Sequence, residues 1–233
     1  MPTIKKIPAT ITAVSDTTPT ARVVTLTLSE PLPFVAGAFV NMFISHEGKV
    51  LRRAFSISSS DKEDKTIELT VRLSPNGAVS PLFWKEDIIG TTVEVMGPLG
   101  LNTADKMLQS KTFLFGFGVG AGVVKSLAEH FVQDPNCTEL TIMLGSRNED
   151  EIVHLKEVTE LATSPKVTVR HAISNPGDHN THPVGYIQNH LEGFDFNNAD
   201  VYVCGQEAAC EALVEAVKKQ NPQNCLYFVE GFH

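Results

Sequence analysis

Arg53, Phe55 and Ser56 place a guanidinium, an aromatic ring and a hydroxyl within four residues of a 233-residue chain. Together these groups suit a flat, anionic ligand. A guanidinium takes a diphosphate in a forked contact, a ring covers a planar heterocycle, and a hydroxyl reaches a ring nitrogen. The surrounding Arg52-Arg53-Ala54-Phe55-Ser56-Ile57-Ser58-Ser59-Ser60 alternates apolar and polar side chains before its serines, the pattern of a strand leaving into a turn. In an extended strand Arg53 and Phe55 share one face and Ser56 takes the other, unless the strand bends. An ordinary barrel strand with a solvated Arg pair has the same pattern, and on these residues both readings stand.

Other clusters with chemical capacity follow along the chain. Asn76-Gly77-Ala78-Val79-Ser80 opens a briefly helical stretch, and a helix start presents unpaired N–H groups that can hold a diphosphate. Gly77 lets the backbone approach closely and Ser80 adds a donor; a plain capped turn is the alternative. Gly116-Phe117-Gly118-Val119-Gly120-Ala121-Gly122 lies between a strand and a helix, at the edge where open α/β sheets bind ligands. Its spacing is not Gly-x-Gly-x-x-Gly, and the next strand ends in Gly145-Ser146-Arg147 rather than in an acid, so a general dinucleotide fingerprint is only weakly supported. The Arg147 guanidinium can meet the phosphates of an adenosine or stand solvated. Cys204-Gly205 ends another strand, and the chain closes on Glu230-Gly231-Phe232-His233. His179 and His182 lack further ligands at tight spacing, so a solvated loop is expected there and no metal.

Two kinds of element must position these residues. From Thr3 to about Gly100, short alternating runs such as 21–28, 37–44 and 66–73 are separated by Gly, Pro and Ser, which predicts a small antiparallel barrel with one brief helix over 79–85. After Gly97-Pro98-Leu99-Gly100 the period changes. Strand-like runs at 112–115, 140–144, 167–169, 201–203 and 226–229 alternate with amphipathic stretches, among them 150–163, 207–220 and one with Val123, Val124, Leu127, Ala128 and Phe131 on one face. That order predicts a parallel sheet covered on both faces, with the boundary near residue 105, giving domains 1–104 and 105–233.

The net charge of -8 argues against nucleic acid and against an anionic membrane surface. It arises almost wholly after residue 100. The neutral first half keeps basic clusters, Lys49, Arg52 and Arg53 and then Lys62, Lys65 and Arg72, that suit an acidic redox protein, a solvated face or cofactor contacts equally well. Cys137, Cys204, Cys210 and Cys225 have no Cys-x-x-Cys spacing, so neither zinc nor an iron–sulfur cluster is indicated. The first residues hold no apolar run of signal-peptide length and no later stretch approaches a membrane span, so a cytoplasmic protein is expected.

Arg53-Ala54-Phe55-Ser56 resembles the Arg-x-Tyr-Ser flavin motif of the ferredoxin–NADP reductase superfamily, with Phe for Tyr. Gly77-Ala78-Val79-Ser80 is similar to its Gly-x-x-Ser, Gly97-Pro98-Leu99-Gly100 to its inter-domain turn, and Gly118–Val123 to its Gly-Thr-Gly-Ile-Ala-Pro turn with Val replacing Thr and Pro. Gly145-Ser146-Arg147 and Cys204-Gly205-Gln206 resemble its later segments, and Glu230 with Phe232 its Glu-x-Tyr ending; the pattern gives His233 no role. The resemblance implies an FAD-binding barrel of six strands and a Rossmann-like NAD(P)-binding domain. It assigns Arg53 and Gly77 to Ser80 to the FAD diphosphate, Phe55 and Phe232 to the flavin ring, and Ser56 to its N5. Gly118, Val119, Gly120 and Arg147 fall to the nucleotide, and Cys204, Gly205 and Glu230 to the nicotinamide pocket.

The implied activity is hydride transfer from NAD(P)H to FAD and electron delivery to a ferredoxin, a flavodoxin or a small-molecule acceptor. Ser56, Cys204 and Glu230 are the expected catalytic residues. A flavin reductase with dissociable flavin, an electron-transfer subunit of a larger enzyme, and a non-enzymatic redox or nucleotide sensor stay open, as do NADH and NADPH.

Overall fold

The computed structural model describes residues 3–232; His233 lies outside them. The first half forms β1 (Lys5–Thr18), β2 (Ala21–Leu28), β3 (Phe39–His46), β4 (Lys49–Ser56), β5 (Thr66–Arg72) and β6 (Thr92–Leu99). These pair antiparallel in the order β4-β3-β6-β1-β2-β5. The two outer strands meet at an isolated bridge between Ile57 and Leu69, beside which the Ser58 N–H donates to the Glu68 carbonyl, so the sheet curls into the expected six-stranded barrel. Its period-2 pattern gives the sheet one apolar face to wrap around a core. In β5, Ile67, Leu69 and Val71 point into the core while Thr66, Glu68, Thr70 and Arg72 alternate outward. Ile11, Leu26, Met42, Ile57 and Phe83 are fully buried in that core, each contributing roughly 1.5–3 kcal/mol relative to exposure.

The stretch expected to be helical over 79–85 is a single 3-10 turn, Ser80–Trp84, with Pro81 at its start. Lys85 is already extended there, and Phe83 and Trp84 are drawn onto the barrel core rather than onto a longer helix. The Arg22 guanidinium covers the Trp84 ring at 4.8 Å.

The second half contains β7 (Lys111–Phe117), α1 (Ala121–Gln133), β8 (Glu139–Ser146), α2 (Leu155–Leu161), β9 (Val167–Ile173), β10 (Ala199–Gln206), α3 (Glu207–Lys218) and β11 (Cys225–Phe232). All five strands run parallel in the order β11-β10-β7-β8-β9, so the chain reverses its direction of winding between β7 and β10. That reversal opens a crevice at the carboxyl ends of the two strands, where the glycine-rich turn and Cys204 stand.

Two helices depart from the sequence pattern. Helix α1 buries Val123, Val124, Leu127, Ala128 and Phe131 on the sheet as expected, but it also buries Lys125 and Ser126, because its opposite face meets the barrel. Helix α2 begins at Leu155 rather than near residue 150: Glu149–Glu151 is a separate 3-10 turn capped by Asn148, and His154 takes a left-handed φ of 56° that prevents continuity. Among the described residues, no helix is long and apolar enough to cross a membrane.

Candidate active site

Barrel and sheet meet around one cleft of about 880 Å³. From the barrel come the end of β4, the end of β5 and the turn 77–80. From the sheet come the glycine-rich turn, the start of α1 and the end of β11. Arg53, Ala54, Phe55, Ser56, Gly77, Ala78, Val79, Ser80, Val119, Glu230 and Phe232 all line it. Arg53, Phe55 and Ser56 border the same space despite strand alternation, because β4 is an edge strand and the cleft wraps around its end.

Backbone donors of the 77–80 turn, with Arg53 beside them, suit the anionic end of a ligand. The backbone N–H groups of Ala78, Val79 and Ser80 find no acceptor among the described residues, while Gly77 N–H closes the turn on Ser74 O. Ser80 Oγ is occupied locally: it accepts from Ser74 N–H at 2.9 Å. Arg53 is exposed, and its Nη1 donates to the carbonyl of Arg52, with no carboxylate paired to it among the described residues. Uncommitted donors beside an aromatic lining match a diphosphate joined to a flat ring. Phe55 supports the lining edge-on against Phe83, with ring centroids 6.0 Å apart.

At the other end Ser56 Oγ donates to Glu230 Oε1 at 2.5 Å, across 174 residues of chain. Burial pushes the Glu230 carboxyl above its ordinary range, and the Ser56 hydrogen bond offsets part of that. A carboxyl raised by burial and a hydroxyl thus share one bond where the two halves meet. One residue earlier, Asn102 Nδ2 donates to the Val229 carbonyl at 2.7 Å, tying the barrel's exit loop to β11.

Five of the sequence-derived residues lie outside the cleft lining: Gly118, Gly120, Arg147, Cys204 and Gly205. Gly120 packs directly on the β10 end. A Cβ there would sit 2.2 Å from the Cys204 carbonyl oxygen. Gly205, at φ +143°, would bring a Cβ within 2.6 Å of Phe117 Cβ, so the two turns interlock through glycines. Cys204 is 4% exposed, and burial holds its thiol well above the ordinary range, so it presents a neutral surface. It lies in register with Glu230 on β11. Arg147 projects into solvent beyond β8, its carbonyl accepting from Asn175 N–H at 2.7 Å. The His182 ring lies 5.1 Å from that of His171.

Some lining residues were given no specific role by the sequence, and Arg72 only a place in a basic cluster. Thr70 and Arg72 alternate out of β5, and Arg72 reaches the sheet half: a Cβ on Gly118 would lie 3.8 Å from its Nη1. Arg72 therefore stands apart from the Lys62–Lys65 cluster with which its charge groups it in sequence. Gly122 faces Thr70, where a Cβ would meet Thr70 Oγ1 at 2.6 Å. Outward alternation in β5 marks Thr70 and Arg72 as surface residues; only the docking of the second half turns that surface into a wall.

Residues 8–103 match the family described as oxidoreductase FAD-binding domain, and residues 114–226 that described as oxidoreductase NAD-binding domain. The chain is 26% identical over 231 residues to the reductase component DmpP of phenol 2-monooxygenase from Pseudomonas sp. (strain CF600), covering 96% of this chain and 64% of that protein. It is 26% identical over 194 residues to ferredoxin–NADP reductase B of Sorangium cellulosum, covering 79% of each. The crystal structure of the Amycolatopsis cytochrome P450 reductase GcoB superposes with a TM-score of 0.90 at 26% identity, covering 100% of this chain and 71% of that one. The chain thus spans less than two thirds of the length of the first of these relatives. With a flavin-binding barrel, a nucleotide-binding sheet and the cleft between them, the chain belongs to the ferredoxin–NADP reductase superfamily of FAD- and NAD(P)-binding oxidoreductases.

Proposed function

We propose that this protein is a reductase that takes hydride from NAD(P)H onto FAD and passes the electrons to a ferredoxin-like or flavodoxin-like protein, an oxygenase component or a small acceptor. The observation that carries it is the Ser56–Glu230 hydrogen bond, which joins the flavin half and the nucleotide half across one cleft. The names of the relatives, a monooxygenase reductase component and a ferredoxin–NADP reductase, support the class of acceptor. The FAD-binding domain comprises residues 1–104 and the NAD(P)-binding domain 105–233. The protein works in the cytoplasm, in keeping with four free thiols.

FAD supplies the two-electron and one-electron redox chemistry; the chain binds, orients and shields. Arg53 and the N–H groups of Ala78, Val79 and Ser80 hold the diphosphate. Phe55 and Phe232 cover the flavin ring. Ser56 would stand beside the reacting edge of the flavin, with Glu230 fixing its hydroxyl through their hydrogen bond. Gly118, Val119, Gly120, Arg147 and Arg72 serve the coenzyme, with Arg72 bridging from barrel to glycine turn. Cys204 and Gly205, behind the cleft lining, would back the nicotinamide pocket, the thiol as a soft surface rather than a nucleophile.

The test is reduction of an added one-electron acceptor by NADH or NADPH, with purified protein and no free flavin. Steady turnover supports the reading, and none with either nucleotide, even with FAD added, contradicts it. Arg53 resting on the Arg52 carbonyl, with Phe for the family's Tyr at 55, favours one variant of this reading, a flavin held loosely enough to exchange. Colourless protein that turns over only with added flavin would select that variant.

A further inference from the structure

The molecule has a second cleft, of about 770 Å³, lined by Thr17, Ile152 and Glu157 among others. A line of hydrogen bonds connects it to the first. Thr70, on the wall of the large cleft, has its Oγ1 2.8 Å from Nε2 of His154. Nδ1 of the same ring lies 3.5 Å from Oε1 of Glu157, whose side chain is 47% exposed. His154 itself is 1% exposed. Its position is over-determined: its N–H donates to Thr17 Oγ1 at 3.1 Å, its backbone is left-handed, and α2 starts from it. Gly122 keeps the space beside the Thr70 hydroxyl clear, since a Cβ would collide with it.

The charged groups facing the ring come from three elements: Glu157 on α2, Lys125 on α1 and Glu68 on β5. Lys125 is itself bonded to Ser58 O and paired with Glu129 at 3.0 Å and Glu68 at 3.7 Å. Burial, with Lys125 adding to it and the two carboxylates opposing it, pushes the imidazole below its ordinary range. The ring is therefore neutral near pH 7, with one N–H and one lone pair, the state that can accept a proton on one nitrogen while giving one up on the other.

We infer that Glu157, His154 and Thr70 form a proton relay from the second cleft to the flavin cleft. The inference rests on the reductase reading above. Reduction of FAD by NAD(P)H to FADH2 takes a hydride from the nucleotide and one proton from solvent. Burial raises the Glu157 carboxyl, but its backbone hydrogen bond and the His154 ring outweigh that and hold it below its ordinary range, so it rests as a carboxylate. In the relay it takes up a solvent proton in the second cleft only transiently and gives it to Nδ1, the Nε2 proton passes to Thr70 Oγ1, and the hydroxyl's own proton moves into the flavin cleft. The ring ends in its other tautomer and Glu157 as carboxylate, with no charge left on His154.

Glu157→Gln and Thr70→Val break the two ends while preserving shape. In rapid mixing of FAD-loaded protein with NAD(P)H, each should slow the step sensitive to D2O by about tenfold or more, and leave the nucleotide KM within about twofold. The dependence of that step on pH should flatten. A second readout needs neither cofactor nor turnover. Nitrogen NMR of the His154 ring in the protein alone should show its tautomer balance shift in both variants, with melting temperatures close to that of the parent chain. Unchanged ring signals, or unchanged rates and pH profiles in both variants, overturn the relay. Parent protein inert toward NAD(P)H would sink the reductase reading instead, and the ring signals would still decide whether the three groups are coupled.

Discussion

Glu230 is where residue chemistry and stability pull in opposite directions. Its carboxyl is raised by burial, so the folded state favours the protonated form. For a raised acid the contribution to stability is most favourable below its ordinary value, and is lost as pH climbs through the folded value. Glu230→Gln removes that loss. Its melting temperature should match that of the parent protein in acid and exceed it at pH 7, while hydride transfer slows; equal melting at pH 7 would contradict the assignment. Arg53 makes a separate prediction. Arg53→Ala should weaken FAD binding by about 10- to 100-fold, a loss of about 1.5–3 kcal/mol for a charge-assisted contact, and Lys should restore little because it lacks the fork. Yellow, fully loaded Arg53→Ala protein would count against that role.

Elements explain which glycines matter. Gly118 sits at φ +53° with nothing nearer its Cβ position than the Arg72 guanidinium at 3.8 Å, so Gly118→Ala should cost only about 1 kcal/mol, from backbone preference. Gly120 has an ordinary φ of -59° but no room, because the β10 backbone fills its Cβ position. Gly120→Ala should cost about 1–3 kcal/mol or more and displace the turn. Denaturant melts of the two variants separate strain from collision, and the reverse ranking would refute this account. The terminal strand offers another test. Asn102→Asp replaces the donor to the Val229 carbonyl with a second acceptor, so amide exchange over residues 229–232 should accelerate and stability fall by about 0.5–1.5 kcal/mol. Unchanged exchange there would show that Asn102 does not pin β11.

At the scale of the molecule, two limbs of the sheet half dock on the barrel. Helix α1 contributes Lys125 and Ser126, bonded to the carbonyls of Ser58 and Ser59, and His130, bonded to Asp61 at 2.7 Å. The loop before α2 contributes Glu151 to Thr18 and Thr20, and His154 to Thr70. This docking marks what was legible in the sequence. Alternation and glycine turns revealed both halves, and motifs at strand ends pointed to Arg53 to Ser56, the 77–80 turn, Glu230 and Phe232, all of which line the cleft, because each motif depends on neighbours a few residues away. The approach of Arg72 to Gly118, the Asn102–Val229 bond and the Thr70–Gly122 contact were not legible, since the partners lie 46 to 127 residues apart and are fixed only when the halves meet. Burial of Lys125 was hidden for the same reason, and the late start of α2 turns on a single left-handed histidine held by Thr17.

Direct transfer requires that one cleft bring nucleotide and flavin together. Anaerobic titration of the FAD-loaded protein with NADH, and separately with NADPH, measures it most directly. One equivalent of at least one nucleotide should bleach the visible flavin band. Flavin that stays oxidised under an excess of both, in protein shown to bind them, would contradict it.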